Sequence, residues 1–342
     1  MLDFETYLAY IHQSDFAGIC RNWTSFDVFA LITNSLLKKM NIFNKLIVAA
    51  IPAVPRPIVR YFANRYIAGD RLEDAVRAVK QLNAEGIMAT MDVLGEDIHQ
   101  REEATQATEK IIEVIQAIAA EHLDANVSIK LTQLGLKLDK NFCLDNVRTI
   151  VSKSKSIDNF VRIDMEDSTC TDDTIWVYRQ IRKEFPNSGI VLQARLRRTE
   201  ADALSMIQDG LNNFRLCKGI YIEPKEIAFT EHDAINKNFT QVLDAMLRQK
   251  AYVGIGTHDD DLIDAACKLI DQYKLKKNEY EFQMLLGVRP ELRHALHRKG
   301  HRVRIYVPFG KHWYQYSIRR FKENPQIAGY VFKSLFTRDK SL

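Results

Sequence analysis

The sequence predicts an α/β protein whose main domain is a closed (β/α)8 barrel. From Ile87 onward, short apolar or β-branched runs alternate with polar loops and with longer helical patterns, such as Glu102–Glu121 and Asp259–Tyr273. This alternation is typical of parallel βα units. Eight units within roughly 220 residues fit a closed barrel, which usually has about 250. The eight runs are Ile87–Leu94, Asn126–Leu131, Phe160–Met165, Ile190–Leu196, Phe214–Cys217, Tyr252–Ile255, Tyr280–Leu285 and Val303–Val307.

A doubly wound open sheet is the alternative fold. Such sheets usually carry a glycine-rich phosphate turn after their first strand. At the end of the first run this chain instead reads MDVLGED, which is not the GxGxxG pattern. The barrel is therefore the better prediction.

The composition is that of a soluble globular protein, with 46% apolar and 27% charged residues in a chain of 342. A formal net charge of +4 gives no indication of a nucleic-acid partner. The cysteines show neither CxxC nor another metal-ligand spacing, which predicts reduced thiols in a cytoplasmic protein and no metal site. They are Cys20, Cys143, Cys170, Cys217 and Cys267.

The chain is predicted to have a helical extension at residues 1–39 and a single barrel domain at residues 40–342, including its leading helices and its tail. Asp3 and Glu5 stand where a secretory signal would have its basic region. The most apolar run, Leu46–Val54, is too short to cross a bilayer and is interrupted by Pro52. We therefore expect neither a secretory signal nor a transmembrane segment.

Polar side chains concentrate towards the carboxyl ends of the predicted strands, where barrel enzymes have their active sites. A buried charge without a partner is costly, so such groups are normally paired or functional. Ion pairs inside the barrel would explain any one of them, but their presence on nearly all eight strands favours a functional site. The residues concerned are Asp92, Lys130, Asp164, Gln193, Arg215, Lys218, Thr257, His258, Glu281, Gln283 and Tyr306.

The last run is predicted to lead into a cationic helix. The stretch opens as a strand at Arg304–Val307, is expected to break at Pro308, and continues with helical spacing until Asn324. Two adjacent guanidiniums on one helix face suit a planar carboxylate ligand, whereas the alternative is an exposed helix with an ion pair along its surface. The residues at i, i+3, i+4 and i+7 are Tyr316, Arg319, Arg320 and Glu323.

A set of eight segments resembles the flavin-dependent proline dehydrogenases, in particular the short monofunctional bacterial kind. The resemblance covers about residues 85–325, in uninterrupted order, and includes the YxxRRxxE signature on the last helix. The segments are MDVLGED, NVSIKL, RIDMED, VLQAR, RLCKGIYIEP, GTHDD, EFQMLLGVR and RIYVPFG followed by YSIRRFKEN.

The resemblance implies a distorted (β/α)8 barrel that holds FAD non-covalently against the strand ends, with the last helix over the site. The implied reaction oxidises L-proline to Δ1-pyrroline-5-carboxylate by hydride transfer from C5 to flavin N5. Asp164 and Arg215 match active-site positions, with Arg215 close to N5. Glu96 matches a gate carboxylate that pairs with Arg319. The other substrate positions are Lys130, Arg319, Arg320, Glu323, Tyr306, Tyr221 and Leu285.

The same resemblance implies which residues contact FAD and which partners the enzyme needs. The electron acceptor of the family is a membrane quinone, which implies a cytoplasmic protein that visits the inner membrane surface. A separate pyrroline-5-carboxylate dehydrogenase would carry out the next step. The implied FAD contacts are Met165, Gln193, Arg215, Lys218, Gly219, Ile220, Thr257 and His258.

Two other functions fit the residues less well. A flavin-free lyase would use Lys130 or Lys218 as a Schiff-base nucleophile. A non-catalytic amino-acid-binding barrel would keep the carboxylate clamp and bind proline without flavin. The lyase does not account for the GTH and LQAR loops.

Overall fold

The computed structural model describes residues 59–60, 63–95, 98–314 and 316–318. Within them the chain forms a closed barrel of eight parallel strands in sequential order, in which β1 pairs with both β2 and β8. The predicted fold class is thereby confirmed. The strands are β1 Met88–Val93, β2 Ala125–Ile129, β3 Val161–Ile163, β4 Ser188–Gln193, β5 Asn213–Cys217, β6 Tyr252–Gly256, β7 Tyr280–Leu285 and β8 Val303–Phe309.

Helices surround the barrel in the order expected for repeated βα units. Among the named helices of the described residues, one lies directly before β1, and one follows each of the strands β1 to β7. They are α1 Leu72–Ala84, α2 Arg101–Ala120, α3 Lys140–Lys155, α4 Thr171–Glu184, α5 Thr199–Gln208, α6 His232–Arg248, α7 Asp260–Gln272 and α8 Pro290–Arg298. None of the described helices is long and apolar enough to cross a membrane.

The apolar core includes the layer between the strands and the helices. On α2, Ile111, Ile115 and Ile118 recur at helical spacing and are buried in the same cluster as Val127 and Ile129 of β2. Alternate residues of the strands point the other way, into the barrel, and many of these are polar. This polar interior is what positions the site.

The last strand does not break where a break was predicted. β8 runs on through Pro308 to Phe309, in register with Asp92 and Val93 of β1. The proline lacks an N–H group, but its carbonyl accepts a hydrogen bond from Ala68 N at 3.0 Å. The Phe309 carbonyl accepts from Leu94 N at 2.8 Å, so pairing with β1 continues past the proline.

β3 is the strand that departs most from its predicted length. It ends at Ile163, although the apolar run suggested Phe160–Met165. Asp164 still donates its backbone N–H to Ile129 O at 2.9 Å, and the chain then leaves the sheet. Its side chain is consequently placed at the mouth of the barrel rather than within a ladder.

The predicted extension at residues 1–39 lies outside the described residues. So do Glu96, Arg319, Arg320 and Glu323. The division into an extension and a barrel domain stays a prediction.

Candidate active site

A carboxylate at the mouth of the barrel gathers side chains from three different strands. Asp164, just after β3, accepts hydrogen bonds at Oδ1 from Ser128 Oγ at 2.5 Å and from Arg215 Nη1 at 2.8 Å. Its Oδ2 accepts from the Tyr306 hydroxyl at 3.0 Å. Ser128 lies on β2, Arg215 on β5 and Tyr306 on β8. Residues far apart in sequence therefore converge because the barrel closes.

A buried lysine lies directly beside this carboxylate. Lys130 Nζ donates to both carboxylate oxygens of Asp92 at 2.9 Å and to the Tyr306 hydroxyl at 3.2 Å. The same nitrogen is 3.6 Å from Asp164 Oδ2. Among the described residues, two cations, Lys130 and Arg215, thus face two carboxylates.

The charges of this cluster perturb the acidity of its members. Burial alone would raise the pKa of Asp164, but Arg215 and Lys130 lower it, so the group is ionised at neutral pH. Burial raises the pKa of Asp92 more than the Lys130 charge lowers it. Burial and the charges of Asp164 and Asp92 raise the pKa of Tyr306. Its hydroxyl therefore stays protonated and acts as a hydrogen-bond donor.

The far side of Arg215 is also held. Its Nε donates to Gln283 Oε1, and Gln283 Nε2 donates to Glu281 Oε1 at 2.5 Å. Arg304 Nε donates to the same Glu281 oxygen at 2.8 Å. A chain of hydrogen bonds therefore runs inside the barrel from Arg304 to Asp164.

A second group of predicted residues lies at the ends of β4 to β6. Gln193 Nε2 donates to the carbonyl oxygens of Met165 at 3.2 Å and Glu166 at 2.7 Å. Gly219, in the turn after β5, has a φ of +93°, and a Cβ there would lie 2.5 Å from Gln193 Oε1. Only glycine fits at position 219 without strain, so the backbone there packs directly against the Gln193 amide.

The turn after β6 is tied to the end of β5 by an ion pair. Lys218 Nζ donates to Asp259 Oδ2 at 2.6 Å. Burial would raise the pKa of Asp259, but hydrogen bonds from Lys218 and Asn236 and the Lys218 charge lower it strongly. Thr257 Oγ1 accepts from Asp259 N at 3.1 Å. These contacts fix the two turns relative to each other.

His258 and Tyr221 also lie in the loops at the mouth. His258 Nε2 accepts from the backbone N–H of Leu285 at 2.9 Å. The Tyr221 carbonyl accepts from Arg195 Nη1 at 2.6 Å. Leu285 and Ile220 are half-buried.

The structure brings four of the predicted residues into one hydrogen-bonded cluster: Lys130, Asp164, Arg215 and Tyr306. The residues that hold them include Asp92 and Gln283, which the sequence analysis names only as polar strand residues, and Ser128, which it does not name. Spacing would have found Ser128, since it precedes Lys130 by two residues on the inward face of β2.

Comparisons with known proteins identify a matching family and several relatives of this chain. A family model described as proline dehydrogenase matches residues 75–332. Proline dehydrogenase 1 of Bacillus subtilis strain 168 is 39% identical over 279 residues, which are 82% of this chain and 92% of that protein. The proline dehydrogenase of Deinococcus radiodurans is 35% identical over 278 residues, covering 80% of this chain and 89% of that one.

Solved structures agree with the fold. Proline utilization A of Bdellovibrio bacteriovorus superposes with a TM-score of 0.74 at 23% identity, over 82% of this chain and 34% of that one. A Bradyrhizobium japonicum homologue, also a proline utilization A, gives a TM-score of 0.65 at 18% identity, over 78% of this chain and 32% of that one. The chain thus spans about a third of the length of these structures, and the likeness is one of fold.

Proposed function

Since this chain belongs to the proline dehydrogenase family and is an enzyme that oxidises proline, we propose that it converts L-proline to Δ1-pyrroline-5-carboxylate with bound FAD. The observation that carries the proposal is the buried cluster in which Asp164 holds Arg215 and Tyr306 beside the Lys130–Asp92 pair. Buried charges at the carboxyl end of a barrel are characteristic of an active site. Their residue types suit an amino-acid substrate.

The residues at the ends of β4 to β6 fit a flavin. Gly219 lets the turn after β5 pack directly against the Gln193 side chain, where a Cβ would intrude, and we assign this turn and this amide to the flavin cradle. A lysine, a hydroxyl, an amide and an imidazole at neighbouring strand ends match the hydrogen-bonding atoms of an anionic dinucleotide. The residues that would hold it are Met165, Gln193, Arg215, Lys218, Gly219, Ile220, Thr257 and His258.

FAD, when bound, accepts the hydride that leaves C5 of proline. The task of the chain is then to orient the substrate and to balance charge. We assign Arg319 and Arg320, which lie outside the described residues, to the substrate carboxylate together with Lys130. The rings of Tyr306 and Tyr221 and the side chain of Leu285 would enclose the pyrrolidine ring.

Lys130 must share its charge to bind a substrate. An ammonium has three donors, and the two Asp92 oxygens and the Tyr306 hydroxyl accept from Lys130 Nζ. A substrate carboxylate therefore competes with these acceptors. This competition favours a design in which the two arginines supply most of the attraction and Lys130 fixes orientation.

The Lys130–Asp92 pair argues against a Schiff-base lyase at this position. A nucleophilic lysine must be neutral to attack a carbonyl. A buried carboxylate at 2.9 Å favours the ammonium form instead.

The wider role follows the resemblance to the family. We propose that a membrane quinone reoxidises the flavin during transient contact of a cytoplasmic protein with the inner membrane surface. A separate pyrroline-5-carboxylate dehydrogenase would consume the product. We propose that Glu96 closes the site by pairing with Arg319. Glu323 would hold the arginine side chains in place.

The test is the visible absorption spectrum of the purified protein before and after anaerobic addition of proline. We expect a flavin spectrum that bleaches with proline, with hydroxyproline as the matched control that bleaches far more slowly. A flavin that proline leaves oxidised would refute the substrate. A colourless protein that FAD cannot reconstitute would refute the flavoenzyme.

A further inference from the structure

The chain of hydrogen bonds inside the barrel starts at Arg304 of β8 and reaches Arg215 of β5 through two side chains of β7. Arg304 donates to Glu281, Gln283 donates to the same oxygen, and Gln283 accepts from Arg215 Nε. All four side chains are buried. Apart from Arg215, none of them has a place in the proposed chemistry.

The chemistry of its neighbours fixes how the Gln283 amide is turned. A guanidinium offers only donors, and an ionised carboxylate offers only acceptors. Oε1 must therefore face Arg215, and Nε2 must face Glu281. Burial alone would raise the pKa of Glu281, but Arg304 lowers it to about 2, so this carboxylate is ionised and holds the amide in one orientation.

The barrel leaves room for this amide. A Cβ on Gly254 of β6 would overlap Gln283 Nε2. The other end of the chain is anchored because Arg304 Nη1 donates to the Ala89 carbonyl at 2.7 Å. The amide thus lies between a fixed ion pair and the mouth of the barrel.

We propose that Gln283 is a positioning residue that orients the Arg215 guanidinium for the oxidation. Gln283 holds Nε, and Asp164 holds Nη1 at 2.8 Å, so the planar group is fixed at two points. Nη1 also lies 3.5 Å from Ser128 Oγ, but this contact and the Asp164 contact are made by the same nitrogen, so without Gln283 the guanidinium could turn about it. The inference rests on the proposed function, in which Arg215 acts at the flavin.

The test compares Gln283→Met with Thr90→Val. Both remove buried hydrogen bonds inside the barrel, but the Thr90 hydroxyl donates to Asn126 Oδ1 at 2.6 Å and has no bond to Arg215. We expect Gln283→Met to slow anaerobic flavin reduction at saturating proline by about tenfold or more. FAD content and half-saturating proline should change little, and Thr90→Val should leave the rate unchanged.

A double-mutant cycle distinguishes positioning from general damage. If Gln283 acts through Arg215, adding Gln283→Met to Arg215→Met should cause no further loss of rate. Additive losses would overturn the inference.

A crystal structure of Gln283→Met provides a readout that does not depend on turnover. We expect the Arg215 guanidinium to turn about its contact with Asp164, so that Nε leaves its wild-type position. An unmoved guanidinium would contradict the inference even if proline bleaches the flavin. Wild-type flavin that proline fails to reduce would instead refute the proposed function, and a displaced guanidinium would then still support the positioning contact.

Discussion

Lys130 and Asp92 form an ion pair inside the barrel, with the ammonium nitrogen 2.9 Å from both carboxylate oxygens. Both residues are buried, at 6% and 1% exposure, so neither charge can be compensated by solvent. Removal of one partner from a buried pair leaves the other charge without compensation, which is much more costly than removal of both. This asymmetry separates the structural role of Lys130 from its role in binding.

Lys130→Met is expected to lower the free energy of unfolding by about 3–5 kcal/mol because Asp92 loses its counter-charge. It should also raise the KM for proline by about tenfold or more, since a charge-assisted contact is lost. Chemical denaturation and steady-state kinetics measure the two effects.

The control is the double variant Lys130→Met/Asp92→Asn, which removes both charges. It should be more stable than Lys130→Met alone, but its KM should stay high. Recovery of KM together with stability would show that Lys130 only supports the fold.

Tyr306→Phe tests the phenol that connects Asp164 with Lys130. The hydroxyl donates to Asp164 at 3.0 Å and accepts from Lys130 at 3.2 Å. Its loss should raise the KM for proline about three- to tenfold, because both charged groups lose an orienting contact. Kinetics with proline measure the effect.

Tyr280→Phe is the matched control for that substitution. The Tyr280 hydroxyl shares a 2.8 Å hydrogen bond with His301 Nδ1, at the amino end of β7. This variant should lower the unfolding temperature slightly and leave KM unchanged. An equal rise in KM would mean that the effect of Tyr306→Phe is not local.

Gly219→Ala tests the proposed flavin cradle. A Cβ at Gly219 would lie 2.5 Å from Gln193 Oε1 at a φ of +93°, so Gln193 must move. We expect FAD affinity to fall on the order of tenfold. Gly210→Ala is the control, because Gly210 also has a positive φ, +77°, but no atom lies within 4 Å of its added Cβ.

Titration of the apoprotein with FAD gives the dissociation constants. Gly210→Ala should lose about 1 kcal/mol of stability from backbone strain and keep the wild-type FAD affinity. Equal affinities for both variants and the wild type would remove Gly219 from the proposed cradle.

The strands could be predicted because their signal is local. The sequence predicts Tyr280–Leu285 with both of its bounds, since Tyr280, Phe282 and Met284 alternate with polar residues. The end of β8 was harder to predict, because pairing with β1 continues through Pro308 although this residue carries no N–H group. Local composition predicted a break that neighbouring strands prevent.

The contacts within the site could not be predicted to the same degree. Polar residues at strand ends indicated that Asp164 and Arg215 belong to a site. That Gln283 contacts Arg215 depends on barrel closure, on register, and on the space that Gly254 leaves, none of which is encoded in a local pattern. Inward-facing partners are fixed by three-dimensional packing, so sequence spacing alone names the candidates but not the pairs.

Glu281 predicts how stability depends on pH. Burial would raise its pKa, but the Arg304 charge and hydrogen bonds lower it from 4.5 to about 2. The unfolded chain therefore binds a proton at higher pH than the folded one, and the stabilisation is present above pH 4.5 and is lost as the pH falls towards 2. Between pH 6 and pH 4 the loss from this group should be on the order of 1 kcal/mol. Glu281→Gln keeps the shape of the side chain but cannot titrate, so its stability, although lower throughout, should fall less steeply over this range in urea denaturation. Identical pH slopes for the variant and the wild type would show that Glu281 is not the group responsible.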